Sequence, residues 1–318
     1  MTSSVLVTGA SGFVGSALCG ALVAGGHRVR AAVREGSSVP DGVDEVSIVG
    51  DLGADTDWSR AVAGVDCVVH AAARVHVVND RPENASLYLQ ANAYATQRLA
   101  AACVRSGVRR LVYLSSIKVN GESTFDRPYT AQDAPAPRDA YGVSKWRAEE
   151  LLFEAARVSD LEVVAIRPPL VYGPGVRANF FRLMSWVHRG IPLPFAMVRN
   201  ARSMVSIWNL CDLIQYVIGW AQPVSGVLLV SDGEDLSTAQ LMRKLASEMK
   251  VPSRLLPVPP VLLRASGKII GRSAEVDRLL GSLQVDSTQT CARMVWTPPL
   301  SVDASLARTV QWFLSEDR

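Results

Sequence analysis

Short apolar runs alternate with amphipathic stretches from the beginning of the chain. Residues 5–7 form an apolar run typical of a buried strand, residues 13–25 an apolar helical stretch, and residues 27–33 a second strand. Further apolar runs, separated by helical patterns, follow at 46–49, 67–69, 111–114 and 163–166. This alternation predicts an α/β fold with a doubly wound parallel sheet, because parallel strands need crossover helices that cover both faces.

The pattern changes after residue 167, where glycine and proline become dense. We therefore predict a first domain over 1–170 and a smaller C-terminal lobe, mainly for substrate, over 171–318. Residues 203–232 are expected to return to the first domain, with the apolar run at 227–230 as a further strand of the main sheet. Residues 303–316 are expected to form a terminal helix.

Composition narrows the class of protein. The chain has 318 residues, 48% of them hydrophobic and 20% charged, with a dispersed net charge of +3. These values argue against disorder, and neither nucleic acid nor a membrane is an expected partner. Without an export signal or a long apolar run, and with five widely spaced cysteines, the chain is expected to be cytoplasmic. No metal is expected, because no ligand spacing links its four histidines, His27, His70, His76 and His188.

A glycine-rich segment, residues 8–15, lies between the first predicted strand and helix. Its glycines Gly9, Gly12 and Gly15 permit a tight turn and a close backbone approach, and the helix N-terminus that follows favours phosphate. The pattern indicates a Rossmann-type dinucleotide site. The alternative is a glycine-rich turn without a ligand.

A tyrosine and a lysine four residues apart, Tyr141 and Lys145, lie on one face of a predicted helix. An ammonium beside a phenol favours the phenolate, so we expect Lys145 to lower the pKa of Tyr141. Such a tyrosine can accept and donate a proton near neutral pH. The pair gains weight because it follows both the glycine-rich segment and the strand that ends at Ser115-Ser116.

Nearly the whole chain resembles the extended short-chain dehydrogenase/reductase family, in its branch of sugar-nucleotide epimerases, dehydratases and 4-ketoreductases. The resemblance rests on the glycines, on Asp51-Leu52, on 70–73, on Asn92, on Ser116, Tyr141 and Lys145, and on the segment 167–174. It implies that Ser116, Tyr141 and Lys145 are catalytic. It also implies that NAD(P) is held by Gly9, Ser11, Gly12, Phe13, Val14, Gly15, Arg34, Asp51, Leu52, Ala71, Ala72, Ala73, Asn92, Tyr141, Lys145 and Pro168.

The family pattern selects one of two adjacent serines. Its catalytic hydroxyl lies five residues before a glycine, here Gly121, which selects Ser116 and leaves Ser115 as a backbone-bonding neighbour. In 4,6-dehydratases an acidic pair directly follows that hydroxyl, whereas Ile117 and Lys118 stand here. The resemblance therefore favours chemistry confined to C4 over dehydration.

The family also implies a substrate. Arg202 and Asn179 match residues that bind the diphosphate of a nucleotide sugar, a group that the planar guanidinium fork suits. Arg202 could instead be a solvated surface cation. Tyr141 would exchange a proton with the 4-oxygen, in a 4-epimerase or a 4-ketoreductase of surface polysaccharide synthesis. Alternatives are a reductase of a free flavonoid-like or steroid-like ketone, and a non-catalytic NADP-sensing protein.

Two further expectations concern the cofactor and assembly. The second strand ends at Arg34, a fixed cation that suits the 2′-phosphate of NADP, although stacking on adenine would serve NAD equally. We predict a preference for NADP(H). Relatives are often homodimers joined by the helices near 92–106 and 139–159, so a homodimer is predicted.

Overall fold

The structure is a computed structural model that describes residues 2–75 and 84–316. His76 therefore lies outside the described residues. The strands are β1 Ser4–Thr8, β2 Arg28–Val33, β3 Glu45–Ile48, β4 Cys67–His70, β5 Arg110–Leu114, β6 Glu162–Arg167, β7 Leu170–Tyr172, β8 Met204–Ser206 and β9 Gly226–Leu229. The α-helices are α1 Phe13–Ala24, α2 Ser59–Val62, α3 Ala85–Tyr88, α4 Ala95–Arg105, α5 Ala140–Arg157, α6 Ala178–His188, α7 Ile207–Gly219, α8 Thr238–Glu248, α9 Pro260–Ile269, α10 Ser273–Leu280, α11 Thr288–Met294 and α12 Val302–Glu316.

Within the described residues, seven strands form one parallel sheet in the order β3-β2-β1-β4-β5-β6-β9. The strand order reverses between β1 and β4. Open α/β sheets bind ligands at such a point, just outside the carboxyl ends of the strands. β7 and β8 form a separate two-stranded parallel sheet. The predicted doubly wound fold is confirmed, and so is the late strand, because Leu228 of β9 pairs with Ile166 of β6.

Helices cover both faces of the main sheet. On one face, α1 and α7 pack on apolar side chains of β1, β2 and β6; on the other, α2, α4 and α5 pack on the alternate side chains. Met294 and Trp296 also join the first of these cores, a return to the sheet that the sequence did not indicate. The boundary between 170 and 171 stays a prediction.

The smaller lobe has a core of its own, formed by α6, α8 and α12 with residues such as Phe180, Met242 and Phe313. Helices α9 and α10 pack against each other at the edge of this lobe, where Gly267 faces Val276. In the described part of the chain, no helix is both long enough and apolar enough to cross a bilayer.

Candidate functional site

A cavity of about 900 Å³ lies at the carboxyl ends of the central strands. This is the edge at which open α/β sheets bind ligands, and the volume is that of a cofactor site. Sixteen of the nineteen residues that the sequence nominated line it: Gly9, Ser11, Gly12, Phe13, Val14, Gly15, Arg34, Asp51, Leu52, Ala71, Ala72, Ala73, Ser116, Tyr141, Lys145 and Pro168. The residues Thr8, Trp58, Arg74, Ser115 and Pro169 also line it and were not nominated.

The turn between β1 and α1 has a shape that only glycine allows. Gly9 has a φ of +67°, and a Cβ there would lie 2.7 Å from the Cα of Ala72. A Cβ on Gly15 would lie 2.1 Å from the carbonyl oxygen of Gly9. No side chain caps the first turn of α1, so its N–H groups and positive dipole end remain for an anion. The turn therefore fits the diphosphate of a dinucleotide.

Arg34 lies just beyond the end of β2 on the rim of the cavity. Its guanidinium is exposed and lies 3.5 Å from the carboxylate of Asp51, which is also exposed. The cation therefore already has a carboxylate beside it. A phosphate placed at Arg34 would also meet the negative charge of Asp51, which weakens the argument for a 2′-phosphate site.

Helix α5 positions the tyrosine and the lysine. It begins after Asp139, whose side chain accepts a hydrogen bond of 2.7 Å from the N–H of Gly142 and caps the helix. The Lys145 ammonium, which is buried, donates to the carbonyl oxygen of Leu114 at 2.8 Å and lies 5.9 Å from the centre of the Tyr141 ring. The two side chains therefore share one helix face, as the spacing predicts.

The charge states differ from the expectation. Burial lowers the pKa of Lys145 to about 7, although nearby Glu149 opposes the change. The pKa of Tyr141 is raised, first by burial and then by Asp139 and Tyr88. The predicted lowering of the Tyr141 pKa is therefore wrong. In both groups desolvation by burial is the largest cause, because it penalises the charged form of each side chain.

The two serines at the end of β5 have different partners. Ser116 caps a short 3₁₀ turn, Ile117–Val119, where its hydroxyl oxygen accepts from the N–H of Lys118 at 3.3 Å. The Ser115 N–H donates to the backbone carbonyl of Ile166 at 2.8 Å, and its hydroxyl donates to the Glu149 carboxylate. The Ser115 hydroxyl is thus committed to a structural carboxylate, which is consistent with Ser116 as the reacting serine.

Behind the site lies a buried ion pair that sequence reasoning missed. Arg167 Nε and one terminal nitrogen donate to the two Glu149 oxygens at 2.9 and 2.5 Å, and the other terminal nitrogen donates to Asn120 Oδ1 at 2.9 Å. The side chains of Arg167 and Glu149 are only 4% and 3% exposed. Two features of the sequence could have indicated this ion pair: Glu149 lies one helical turn beyond Lys145, and Arg167 ends an apolar strand.

Asn92 was expected at the start of a helix. It lies instead inside a π-helical segment, Leu89–Tyr94, that joins α3 to α4. Its amide donates to Ser144 Oγ at 2.9 Å, accepts from the N–H of Arg74 at 2.7 Å and donates to the Arg74 carbonyl at 3.0 Å. Asn92 therefore links the segment after β4 to α5 without lining the cavity.

The two nominated diphosphate residues also lie outside the cavity lining. Arg202 is half-buried and donates to the carbonyl oxygens of Arg278 at 2.7 Å and Gly281 at 3.0 Å, at the end of α10. Burial and nearby Arg278 lower its pKa. It is thus not a freely solvated cation. Asn179 is exposed in the first turn of α6.

Two curated proteins are similar to this chain over nearly its full length. The chain is 44% identical over 318 residues to "UDP-glucose 4-epimerase" of Vibrio cholerae, covering 99% of this chain and 96% of the relative. It is 28% identical to "N-acetyl-alpha-D-glucosaminyl-diphospho-ditrans,octacis-undecaprenol 4-epimerase" of Escherichia coli O157:H7, with 98% and 96% covered.

A solved structure is similar to this chain over its full length. "MoeE5 in complex with UDP-glucose and NAD" matches with a TM-score of 0.79 and 27% identity, covering 99% of this chain and 100% of that one. Residues 5–218 match the profile of the NAD dependent epimerase/dehydratase family. The chain therefore belongs to this family of extended short-chain dehydrogenase/reductase enzymes.

Proposed function

We propose that the protein is an NAD-dependent 4-epimerase of a nucleotide-diphosphate sugar. The observation that carries the proposal is that one cavity is lined by the glycine turn and by Ser116, Tyr141 and Lys145. The 44% identity over the full chain to an enzyme named as a UDP-glucose 4-epimerase supports the reaction and the class of substrate.

The cofactor would be held by the residues that line the cavity. The uncapped start of α1 would bind its diphosphate, and Asp51 and Leu52 would lie beside the adenine end. Lys145 would donate to the nicotinamide ribose in place of the Leu114 carbonyl. When bound, the nicotinamide supplies two-electron chemistry by taking and returning hydride at C4.

The protein's own groups would manage the proton. Because burial raises the pKa of Tyr141, its neutral phenol is the form present near pH 7, ready to donate to a 4-oxygen. Oxidation of a 4-hydroxyl needs the phenolate, so the Tyr141 phenol would first lose its proton to solvent. The charged Lys145 would stabilise this phenolate, which would then accept the proton of the 4-hydroxyl and give it back to the 4-oxygen in the reducing half of the reaction. Ser116 would donate a hydrogen bond to the same oxygen and hold it near Tyr141.

Epimerase is favoured over 4-ketoreductase by the names of both relatives. The neighbour solved with NAD and the Arg34–Asp51 pair favour NAD, so the predicted preference for NADP(H) is not supported. A role in surface polysaccharide synthesis, a homodimer and a cytoplasmic location stay predictions. The full-length similarity to a nucleotide-sugar enzyme disfavours the alternative of a free-ketone reductase. The presence of Ser116, Tyr141 and Lys145 in one cavity disfavours a non-catalytic role.

The test is interconversion of UDP-glucose and UDP-galactose by the parent and by Tyr141→Phe, with Tyr216→Phe as a control outside the cavity. We expect Tyr141→Phe to lower kcat by at least about 100-fold, typical of a lost general acid/base, with unchanged NAD affinity. A second panel with N-acetylated UDP-hexoses covers the substrate class. A parent that converts no UDP-hexose, or a Tyr141→Phe variant within a few-fold of the parent, contradicts the proposal.

A further inference from the structure

Helix α9 has apolar side chains on two opposite faces. Its inward face carries Leu263 and Gly267, and Gly267 lies against Val276 of α10. At 100° per residue, Val261, Leu262 and Ile269 fall within one sector on the opposite side. These three side chains are 72%, 59% and 86% exposed. An exposed apolar sector on a helix that is already anchored by its other face indicates an interaction surface.

The sequence segment that contains this helix carries charge of one sign. Residues 249–274 contain no Asp or Glu, in a chain with 33 basic and 30 acidic residues. The basic residues in this stretch are Lys250, Arg254, Arg264, Lys268 and Arg272. Arg264 and Lys268, one turn apart, flank the exposed apolar sector. Such a combination of apolar and basic residues is complementary to an anionic lipid surface.

The acids that approach this segment do not cancel its charge. Arg264 lies 3.5 Å from Asp277 and Arg272 lies 3.9 Å from Glu275, both of them on α10. All four side chains are at least half exposed, so these pairs are weak and the guanidinium groups remain accessible.

We propose that the outer face of α9 docks the protein on the surface of a bilayer that contains anionic lipid. The exposed side chains of Val261, Leu262 and Ile269 would enter the boundary between headgroups and acyl chains, and Arg264 and Lys268 would contact lipid phosphates. This contact is peripheral and does not depend on the proposed reaction. The small and dispersed net charge of the whole chain predicted no membrane partner, whereas residues 249–274 hold five basic side chains and no acidic one.

The experiment is flotation of the full chain with vesicles of phosphatidylcholine alone and with about 30% phosphatidylglycerol. We expect binding only to the anionic vesicles, weakened by raising the salt to about 0.5 M because surface charges are then screened. Val261→Asn with Ile269→Asn should weaken binding by about tenfold or more, since two apolar side chains no longer enter the interface. Lys268→Ser should weaken it by roughly fivefold.

The matched control is Phe125→Asn with Val158→Asn, which removes apolar side chains that are 84% and 86% exposed outside α9. The control should bind like the parent. Equal binding of both double variants, or a parent that does not float with anionic vesicles, overturns the proposal. The proposal is also overturned if the parent does not float and the α9 double variant has a lower mass in solution than the parent. That result would assign the outer face of α9 to contact with a second copy of the chain.

Discussion

Replacing Glu149 by Gln tests whether the buried ion pair behind the site stabilises the fold. The substitution keeps the shape of the side chain but removes its charge, which leaves the Arg167 guanidinium 4% exposed without a counter-ion. The new amide nitrogen would also face a donor, either Arg167 or Ser115. Breaking a buried pair from one side usually costs about 3–5 kcal/mol.

The chain length converts this cost into a melting temperature. Unfolding releases about 2.1 cal/mol/K per residue, or roughly 0.7 kcal/mol/K for 318 residues. Glu149→Gln should therefore lower Tm by about 4–8 °C. The control is Glu150→Gln, the next residue, which pairs with Arg147 at 3.0 Å on the partly exposed side of the helix. It should shift Tm by less than about 1.5 °C.

Thermal melts of the two variants and of Arg167→Met, alone and with Glu149→Gln, complete the test. The double variant should lose less than the sum of the single losses, because each single change leaves one buried partner unsatisfied. If Glu149→Gln melts within about 1 °C of Glu150→Gln, the argument that the pair stabilises this region is refuted.

Further expectations concern charged residues and assembly. Arg34→Ala should reduce affinity for NADH and NADPH about equally if the cation stacks on adenine, and a selective loss of NADPH in titrations would restore the predicted preference for NADP(H). Arg202→Ala should weaken UDP binding by about ten- to a hundredfold and spare NAD if it contacts the diphosphate, whereas unchanged UDP affinity leaves it as an anchor for α10. Lys145→Met should raise Tm relative to the parent more at pH 6.5 than at pH 9.5. Burial lowers the Lys145 pKa from 10.5 to about 7, so its cost to folding is full below pH 7 and falls between these values. Light scattering at micromolar concentration should give the mass of a homodimer, and a monomeric mass would contradict that prediction.

Local features were the easiest to predict. The glycine turn and the parallel strands follow from periodicity and from the spacing of Gly9, Gly12 and Gly15, which do not depend on distant parts of the chain. The cavity gathers the nominated residues because parallel strands end at one edge of the sheet.

Features that depend on distant partners were missed. The pKa of Tyr141 was predicted in the wrong direction because spacing reveals a nearby charge but not the depth of burial. The carbonyl partners of Arg202 lie almost 80 residues further along the chain. Asn92 was misplaced because a π-helical segment has no distinct signal in the pattern of apolar positions.

The main sheet is completed by a strand that the ribosome makes late. β6 pairs with β9 about 60 residues further on, after the chain has formed β7, α6, β8 and α7. At about 5–20 residues per second, this leaves the outer edge of β6 unpaired for several seconds during synthesis. An open edge can pair with another strand, so these seconds are when the nascent chain is most exposed to mispairing. A fragment that ends at residue 170 would lack β9 and would carry that open edge permanently.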